Sequence, residues 1–228
     1  KLNNSLSKQG FRRSQNVLYR PSCSSCCACL SARIPVSEFS LSKSQKRTIK
    51  ANTDLSRIVK DPIAFDEQFL LFKKYIKERH ANGGMSEMDC EDFSAMIEET
   101  NVNSKVVEYY QSNENGKKLL SLSLIDILDD GISMVYSIFE PGTEKRSLGK
   151  YMILDQIELS RELQLDYVYL GYWVEGSPKM DYKKEYKPLE VFRDNTWKSI
   201  TNLSLEPSAD QKSFESQIVP DPIYLPEE

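Results

Sequence analysis

The segment that decides the fold runs from Leu119 to Trp173 and reads LLSLSLIDILDDGISMVYSIFEPGTEKRSLGKYMILDQIELSRELQLDYVYLGYW. Its first part predicts two strands, Leu119 to Leu128 and Ile132 to Phe139, because apolar residues dominate both and Asp129-Asp130-Gly131 suits a tight hairpin turn between them. Val106 to Gln111 predicts a further strand just upstream. Three successive strands of this kind indicate an antiparallel meander.

A helix and another strand follow the meander. Arg146-Ser-Leu-Gly149 opens a predicted helix that continues to about Leu163, and Tyr167 to Trp173 predicts an aromatic strand. This order predicts the α+β class, with a mixed, mainly antiparallel sheet flanked by helices. It resembles the N-acetyltransferase (acyl-CoA N-acyltransferase) fold, in which that helix starts at a phosphate-binding loop of pattern Arg/Gln-x-x-Gly-x-Gly/Ala. Arg146 and Gly149 match the loop, whereas Tyr151 occupies its last small position and counts against coenzyme A.

Upstream of the meander, turn residues and hydrophobic spacing divide the chain into short elements. The predicted elements are strands at Asn16 to Tyr19 and Leu30 to Phe39, and helices at Ser42 to Val59, from Asp66 to the Asn-Gly-Gly at 82–84, and at Asp89 to Glu99. Pro35 places the second of these strands at a sheet edge or a bulge, because proline cannot donate a hydrogen bond to a neighbouring strand.

The composition is that of a soluble globular protein. Of 228 residues, 39% are hydrophobic and 28% charged, which excludes collagen-like and wholly disordered classes. No stretch approaches the roughly 20 apolar residues of a transmembrane helix, and the first residues lack the apolar core of a signal peptide. We therefore expect a cytoplasmic protein that makes no membrane contact. We divide it into a basic N-terminal region (1–60), an acyltransferase-like catalytic domain (61–198) and a disordered tail (199–228).

Charge is distributed unevenly along the chain. Residues 1–60 carry 12 Lys and Arg against two acidic side chains, whereas the remainder carries 18 basic against 32 acidic side chains. A basic region joined to an acidic body suits a polyanionic partner, whose binding would weaken with salt because counterions are released. Lys46, Arg47 and Lys50 lie on the predicted basic helix and are the residues that we expect to face this partner. The alternative is a solvated basic face.

Four cysteines lie close together: Cys23, Cys26, Cys27 and Cys29. Thiolates are soft ligands, and such density in a cytoplasmic chain favours zinc or an iron–sulfur cluster over disulfides. Because tetrahedral sites usually take pairs of ligands from two separate loops, a second pair would come from elsewhere. The alternative is that these cysteines are small buried hydrophobic residues.

Six short segments stand out by their residue types and their order. They are Tyr19-Arg-Pro21, Arg33-Ile-Pro-Val36, His80-Ala-Asn-Gly-Gly-Met85, Ser133-Met-Val-Tyr-Ser137, Arg146-Ser-Leu-Gly149 and Tyr169-Leu-Gly-Tyr-Trp-Val-Glu-Gly-Ser-Pro-Lys-Met-Asp-Tyr-Lys183. Together they resemble the aminoacyl-tRNA-protein transferases, most closely the bacterial aspartate/glutamate leucyltransferases, which are related to the arginyl-tRNA-protein transferases. The resemblance covers about residues 10–198.

The resemblance implies an enzyme of N-degron protein degradation. It would move leucine from leucyl-tRNA to the N-terminal amine of proteins that begin with Asp or Glu, with no cofactor required for the transfer. Arginyl-tRNA as donor, with the same acceptors, is the alternative within the family. A noncatalytic RNA-binding or metal-sensing module is the alternative from another class, and a coenzyme A-dependent small-molecule acetyltransferase is a third.

The same resemblance bears on the cysteines. The family has a first Cys pair in a Cys-Pro-Tyr setting that this sequence lacks, so we expect a chain truncated at its start. A zinc or iron–sulfur site would then be incomplete. Within the cluster, the family patterns fit Cys26 with either Cys29 or Cys27.

Aminolysis of the ester needs a neutral amine, an oriented carbonyl and a stabilised oxyanion. An α-amine has a pKa of about 8 and benefits from a base. Asp126 and Glu175 are the carboxylates that we expect to hold or deprotonate it, and Lys179 joins them in the predicted catalytic set.

The acceptor's acidic side chain needs a cation, and the aminoacyl or adenosine group needs aromatic surfaces. The candidate cations are Arg33, Arg146, Lys179 and Lys183, of which we prefer Arg33 and Lys179. The aromatic residues expected to line the pocket are Tyr172, Trp173 and Tyr182, whereas Tyr136 is expected to pack in the core.

Overall fold

The secondary structure of the chain is given by a computed structural model that describes residues 1–24, 26–81, 83–114, 116–202 and 223–224. Its strands are β1 (Arg12–Ser14), β2 (Val17–Tyr19), β3 (Leu30–Pro35), β4 (Leu55–Lys60), β5 (Ser104–Asn113), β6 (Gly116–Ile127), β7 (Gly131–Phe139), β8 (Tyr167–Trp173), β9 (Glu190–Arg193), β10 (Thr196–Ser199) and β11 (Ile223–Tyr224). Its helices are α1 (Leu2–Lys8), α2 (Lys43–Lys50), α3 (Asp66–Arg79), α4 (Cys90–Glu98) and α5 (Leu148–Glu162). The predicted meander is β5, β6 and β7, and the predicted helix and strand that follow it are α5 and β8, so these predictions are confirmed.

Within the described residues, the strands form a large mixed sheet and a small one. The large sheet has the order β10-β9-β3-β8-β7-β6-β5-β4, and its neighbours are antiparallel except β7 and β8. β7 and β8 are parallel because α5 connects them as a crossover. Their registered pairs run from Gly131–Tyr167 to Ser133–Tyr169, at the start of both strands. The small sheet is β1-β2-β11, and β1 contacts β7.

Helices cover both faces of the large sheet. Val106 packs with α3 and α4, whereas its neighbour Val107 packs with α5. Adjacent residues of a strand point to opposite faces, so α3 and α4 lie on one face and α5 on the other. α5 also buries Ile153 and Ile157 against β3, β8 and β9. It therefore covers the sheet on both sides of the β7–β8 junction.

The basic helix is shorter than its charge pattern predicts. The prediction of a helix through Val59 is wrong, because α2 ends at Lys50 and the chain enters β4 at Leu55. The side chain of buried Asn52 donates to the carbonyl oxygens of Thr48, at 2.9 Å, and Arg146, at 2.8 Å, and so holds the turn. The residues that follow pair with the edge of β5, where β-branched side chains are favoured.

The strand that contains Pro35 is not at the edge of the sheet. β3 lies between β9 and β8, so the predicted edge position is wrong. Pro35 is tolerated because it is the last residue of β3, where it is registered with Tyr167 of β8, whereas the registered pairs with β9 are at Ala32 and Arg33. A bulge, the other predicted feature, falls between Ala32 and Arg33.

The basic N-terminal region shares its sheet with the rest of the chain, because residues 1–60 supply β3 and β4. Of the tail predicted to be disordered, residues 203–222 and 225–228 lie outside the described residues. Ile223 and Tyr224 form β11, registered with Leu18 and Val17. In the part of the chain that the structure describes, no helix is long and apolar enough to cross a membrane.

The close approach of β7 to β8 yields a test of the fold. A Cβ atom on Gly131 would lie 2.5 Å from the carbonyl oxygen of Tyr167, a backbone atom that cannot rotate away. We expect Gly131→Ala to lower the free energy of unfolding by about 1–3 kcal/mol or more in urea titrations. Gly84→Ala is the matched control, since a Cβ there meets no atom within 4 Å. Equal stability of the two variants would contradict this account of the junction.

Candidate functional site

A cavity opens where β7 and β8 separate. Its volume is about 780 Å³. It lies between the C-terminal half of β7, the first turn of α5, the end of α3 and the segment around Tyr182. The aromatic and apolar residues of its wall include Tyr75, Met134, Tyr136, Phe139, Leu148 and Leu170, and its cationic residues include Arg79 and Lys179. An apolar pocket with a few charged groups is typical of a small-molecule or group-transfer site.

The first turn of α5 forms one side of the cavity. Ser147, the residue before the helix, has a left-handed backbone (φ 51°) and makes no side-chain capping bond. Leu148 and Gly149 follow it and line the cavity. Uncapped backbone N–H groups at the start of a long helix attract anionic oxygens. This turn is therefore suited to hold a phosphate or an oxyanion.

Arg146 is held at the edge of this turn. Both of its terminal nitrogens donate to the Asp54 carboxylate at 2.8 Å, and this bonding lowers the pKa of Asp54 to about 2. Arg146, predicted to bind substrate, thus has a carboxylate partner within the chain.

Arg33 lies outside the cavity. Its Nε donates to Glu190 at 2.7 Å, and its guanidinium lies 3.6 Å from the ring centroid of Tyr167 and 4.2 Å from that of Trp197. This ion pair and these cation–π contacts hold the packing of β3, β8, β9 and β10. The placement argues for a structural role rather than the predicted contact with the acceptor.

Asp126 is also removed from the cavity. Its two carboxylate oxygens accept from Nε and a terminal nitrogen of Arg13, each at 2.6 Å, and one also accepts from Ser104 at 2.7 Å. The carboxylate is 1% exposed. This carboxylate is paired with buried Arg13 and is not part of the cavity wall, so its placement argues against the predicted contact with an amine bound in the cavity.

The end of β8 and the segment that follows it divide between core and cavity. Lys179 and Tyr182, two of the predicted site residues, line the cavity. Trp173 is buried in the core, and the hydroxyl of Tyr172 donates to the carbonyl oxygen of Tyr19 at 2.9 Å. Glu175 is exposed to solvent on the loop between Trp173 and Lys179. Tyr136 lines the cavity as well as packing against Phe72, although its sequence context predicts the core alone.

Two buried cations meet where the strands separate. Arg12 donates to the hydroxyl of Ser133 at 3.2 Å and to the carbonyl oxygen of Met134. Lys183 donates to the carbonyl oxygen of Tyr172. Both residues are 7% exposed. Arg12 was not predicted as a site residue, because its position in a basic turn carries no sign of burial.

The basic helix lies beside the opening. Lys46, Arg47 and Lys50 are exposed on α2. The turn that ends α2 is bonded through Asn52 to the carbonyl oxygen of Arg146, at the rim of the cavity. A polyanion bound along α2 would therefore end at the first turn of α5.

The cysteine loop lies between β2 and β3. Cys23, Cys26, Cys27 and Cys29 are all exposed. Burial raises the pKa of Cys29, as do the nearby Cys26 and Cys23. Over the described ranges, no three Cys, His, Asp or Glu side chains converge as metal ligands would.

Comparison with known proteins extends these observations. The family models "Arginine-tRNA-protein transferase, C terminus" and "Arginine-tRNA-protein transferase, N terminus" match residues 67–193 and 1–47. The aspartate/glutamate leucyltransferase of Ruegeria pomeroyi is 52% identical over 221 residues, which are 92% of this chain and 80% of that protein. The enzyme of the same name from Dinoroseobacter shibae is 56% identical over 206 residues, covering 87% of this chain and 72% of that protein.

Two solved structures share the fold at low sequence identity. L-PGS from Bacillus licheniformis aligns over 78% of this chain with a TM-score of 0.52 and 12% identity, and FemX over 76% with 0.53 and 8%. The chain spans 62% and 60% of those two proteins. This likeness bears on the fold alone and confirms the predicted mixed sheet flanked by helices.

The buried Lys183 predicts how stability depends on pH. Burial, together with the charge of Arg12, lowers the pKa of Lys183 from 10.5 to about 8. Between these values the unfolded chain holds a proton that the folded chain has released, so rising pH favours folding. We expect the free energy of unfolding of the natural chain, relative to Lys183→Met, to rise by about 3 kcal/mol from pH 8 to 10.5. Parallel urea titrations at several pH values measure this difference, and a difference that does not change with pH would contradict the burial of a charged amine.

Proposed function

The chain belongs to the arginine-tRNA-protein transferase family, and on that premise we propose that it transfers leucine from leucyl-tRNA to the N-terminal amine of proteins that begin with aspartate or glutamate. The relatives that share half or more of its residues over most of its length are aspartate/glutamate leucyltransferases. The observation that carries the proposal is the cavity between β7 and β8, which has room for the aminoacyl ester and a helix start at its side.

The reaction needs no separate source of energy, because the ester of an aminoacyl-tRNA is already activated. The acceptor's amine nitrogen attacks the ester carbonyl carbon and forms the new peptide bond. The bond from that carbon to the ribose oxygen breaks, and the proton lost by the nitrogen is balanced by the proton gained by the ribose hydroxyl. Positioning the two substrates and stabilising the oxyanion supply most of what catalysis requires.

The wall of the cavity suits the donor end of the tRNA. Tyr75, Tyr136 and Tyr182 offer ring surfaces against which the terminal adenine would stack. Met134 and Leu170 offer apolar surface for the leucyl side chain. An arginyl side chain would instead pair with a carboxylate, and Glu144 is an acidic residue of the same wall, so arginyl-tRNA stays the alternative donor.

The first turn of α5 and Lys179 are the groups that we propose for the oxyanion. The N–H groups of Leu148 and Gly149 and the ammonium of Lys179 all belong to residues of the cavity wall. Donors aimed at the developing negative charge lower the barrier without moving. Glu175 stays a proposal for holding the amine, since its exposed loop adjoins Lys179 along the chain.

A zinc ion or iron–sulfur cluster at the cysteine loop stays a prediction of the family resemblance. The transfer chemistry proposed above uses none of the four thiols.

The noncatalytic RNA-binding alternative shares the basic helix with this proposal but gives no role to the cavity.

Transfer of leucine is the direct test. We expect the purified chain to move radiolabelled leucine from charged tRNA to peptides that begin with Glu or Asp, and not to the same peptides beginning with Ala. Charged arginyl-tRNA is assayed in parallel as the alternative donor. Incorporation of arginine without leucine would identify arginyl-tRNA as the donor. Binding of tRNA without transfer of either amino acid would favour the noncatalytic module.

The basic helix predicts how tRNA binding responds to salt. We expect combined Lys46→Gln, Arg47→Gln and Lys50→Gln to weaken binding of leucyl-tRNA most at low salt, because each lost phosphate contact reduces the slope of log K against log salt by about 0.7–0.9. Fluorescence titrations at several salt concentrations measure this slope. Lys117→Gln, an exposed lysine at the start of β6, is the control and should leave it unchanged. An unaltered slope in the triple variant would remove α2 from the tRNA surface.

A further inference from the structure

Arg12 and Lys183 are buried cations whose hydrogen-bond partners are neutral. Arg12 donates to the Ser133 hydroxyl and the Met134 carbonyl oxygen, and Lys183 donates to the Tyr172 carbonyl oxygen. Among the ion pairs of the described residues, neither side chain takes part in one. Arg13, next in sequence, is different, because Asp126 neutralises it with two bonds of 2.6 Å.

The two cations lie close to the same short piece of β8. A Cβ atom on Gly171 would lie 3.4 Å from a terminal nitrogen of Arg12, and Lys183 binds the carbonyl of the next residue, Tyr172. Gly171 has φ +80°, a conformation in which glycine is favoured, and its missing side chain leaves room for the guanidinium. The two cations also interact electrostatically, because the charge of Arg12 helps to lower the pKa of Lys183.

The Asp126 carboxylate acts on Arg12 only from a distance, and two like charges buried without an anion bonded to them are unfavourable for the folded protein. The carbonyl oxygens that they bind carry only partial negative charge and leave other N–H groups of both side chains without a partner in the described residues. An arrangement of this kind has one chemical complement, which is a small anion with several acceptor lone pairs. A carboxylate meets this description and is matched by the fork of a guanidinium.

The pair adjoins the cavity. Met134, whose carbonyl oxygen Arg12 binds, is part of the cavity wall. Leu170 and Tyr182 also belong to the wall and precede Gly171 and Lys183 in sequence. Arg12 and Lys183 are not themselves wall residues, so the cations lie behind the wall at Met134, Leu170 and Tyr182, whereas Lys46, Arg47 and Lys50 are exposed on α2.

We infer that Arg12 and Lys183 bind the side-chain carboxylate of the acceptor's first residue and so set the preference for Asp and Glu. This inference rests on the proposed function and deepens it. A tRNA phosphate is less suited to this position, because the exposed bases of α2 already offer a surface for the backbone. A Gln or Asn side chain has the same shape as Glu or Asp but brings no negative charge, so it would leave both cations without a counterion.

The test compares Glu with Gln, and Asp with Asn, at the first position of otherwise identical acceptor peptides. With leucyl-tRNA in excess, we expect the natural chain to have a kcat/KM for the Glu peptide at least 100-fold above that for the Gln peptide. Lys183→Met should reduce this ratio at least tenfold, because the KM of the Glu peptide rises. The kcat/KM of the Gln peptide should change less than threefold. Lys183→Arg, which keeps the charge, should restore most of the preference, and Lys117→Met should leave every ratio unchanged.

The outcomes separate the inference from the function on which it rests. An unchanged Glu-to-Gln ratio in Lys183→Met, or an equal loss with both peptides, would overturn the carboxylate site while leaving leucine transfer intact. If the natural chain transfers no leucine, the proposed function fails, and calorimetric binding of the Glu and Gln peptides without tRNA then tests the site alone. Binding of both peptides with equal affinity would overturn it there. Arg12→Gln, checked for folding by its thermal unfolding, should lower the same ratio if the inference holds.

Discussion

The separation of β7 and β8 is the constraint on which the rest of the structure depends. Parallel pairing holds the two strands through Ser133 and Tyr169, and Arg12 binds at Ser133 and at the next carbonyl, that of Met134. A guanidinium thus satisfies backbone and side-chain oxygen atoms where the neighbouring strand moves away. The cavity, the start of α5 and the buried cations all lie around this point. β1, which carries Arg12, is consequently part of the site although it belongs to the small sheet.

The basic N-terminal region combines two uses of positive charge. Arg13 and Arg33 are buried and paired with Asp126 and Glu190, so they join distant segments of the fold. Lys46 and its neighbours on α2 are exposed and available to a polyanion. The excess of basic residues in this region therefore overstates its surface charge. The salt dependence of tRNA binding would depend on the exposed group alone, since buried pairs are weakly screened.

The elements that the sequence predicts well are those with strong local signals. β6, β7 and α5 have long apolar patterns bounded by turn residues, and α4 begins directly after Asp89, whose side chain caps it. The helix predicted through Val59 failed because local charge spacing does not register the pairing of β4 with β5. β9 and β10 are four residues each and are stabilised by β3 and by the contact of Phe192 with Trp197, 5.3 Å between ring centroids, so their sequence alone gives little indication of them.

The sequence by itself determined the family, the meander followed by a crossover helix, and the segments that border the site. It did so because residue order, turn types and hydrophobic spacing are local properties that the chain carries into any environment. Only the tertiary structure decided which charged groups are available. Asp126 and Arg13 are 113 residues apart in sequence and bonded in the fold, whereas Arg12, beside Arg13, meets no carboxylate among the described residues. A charge acquires its partner from residues brought close by packing, and that proximity cannot be read from neighbours along the chain.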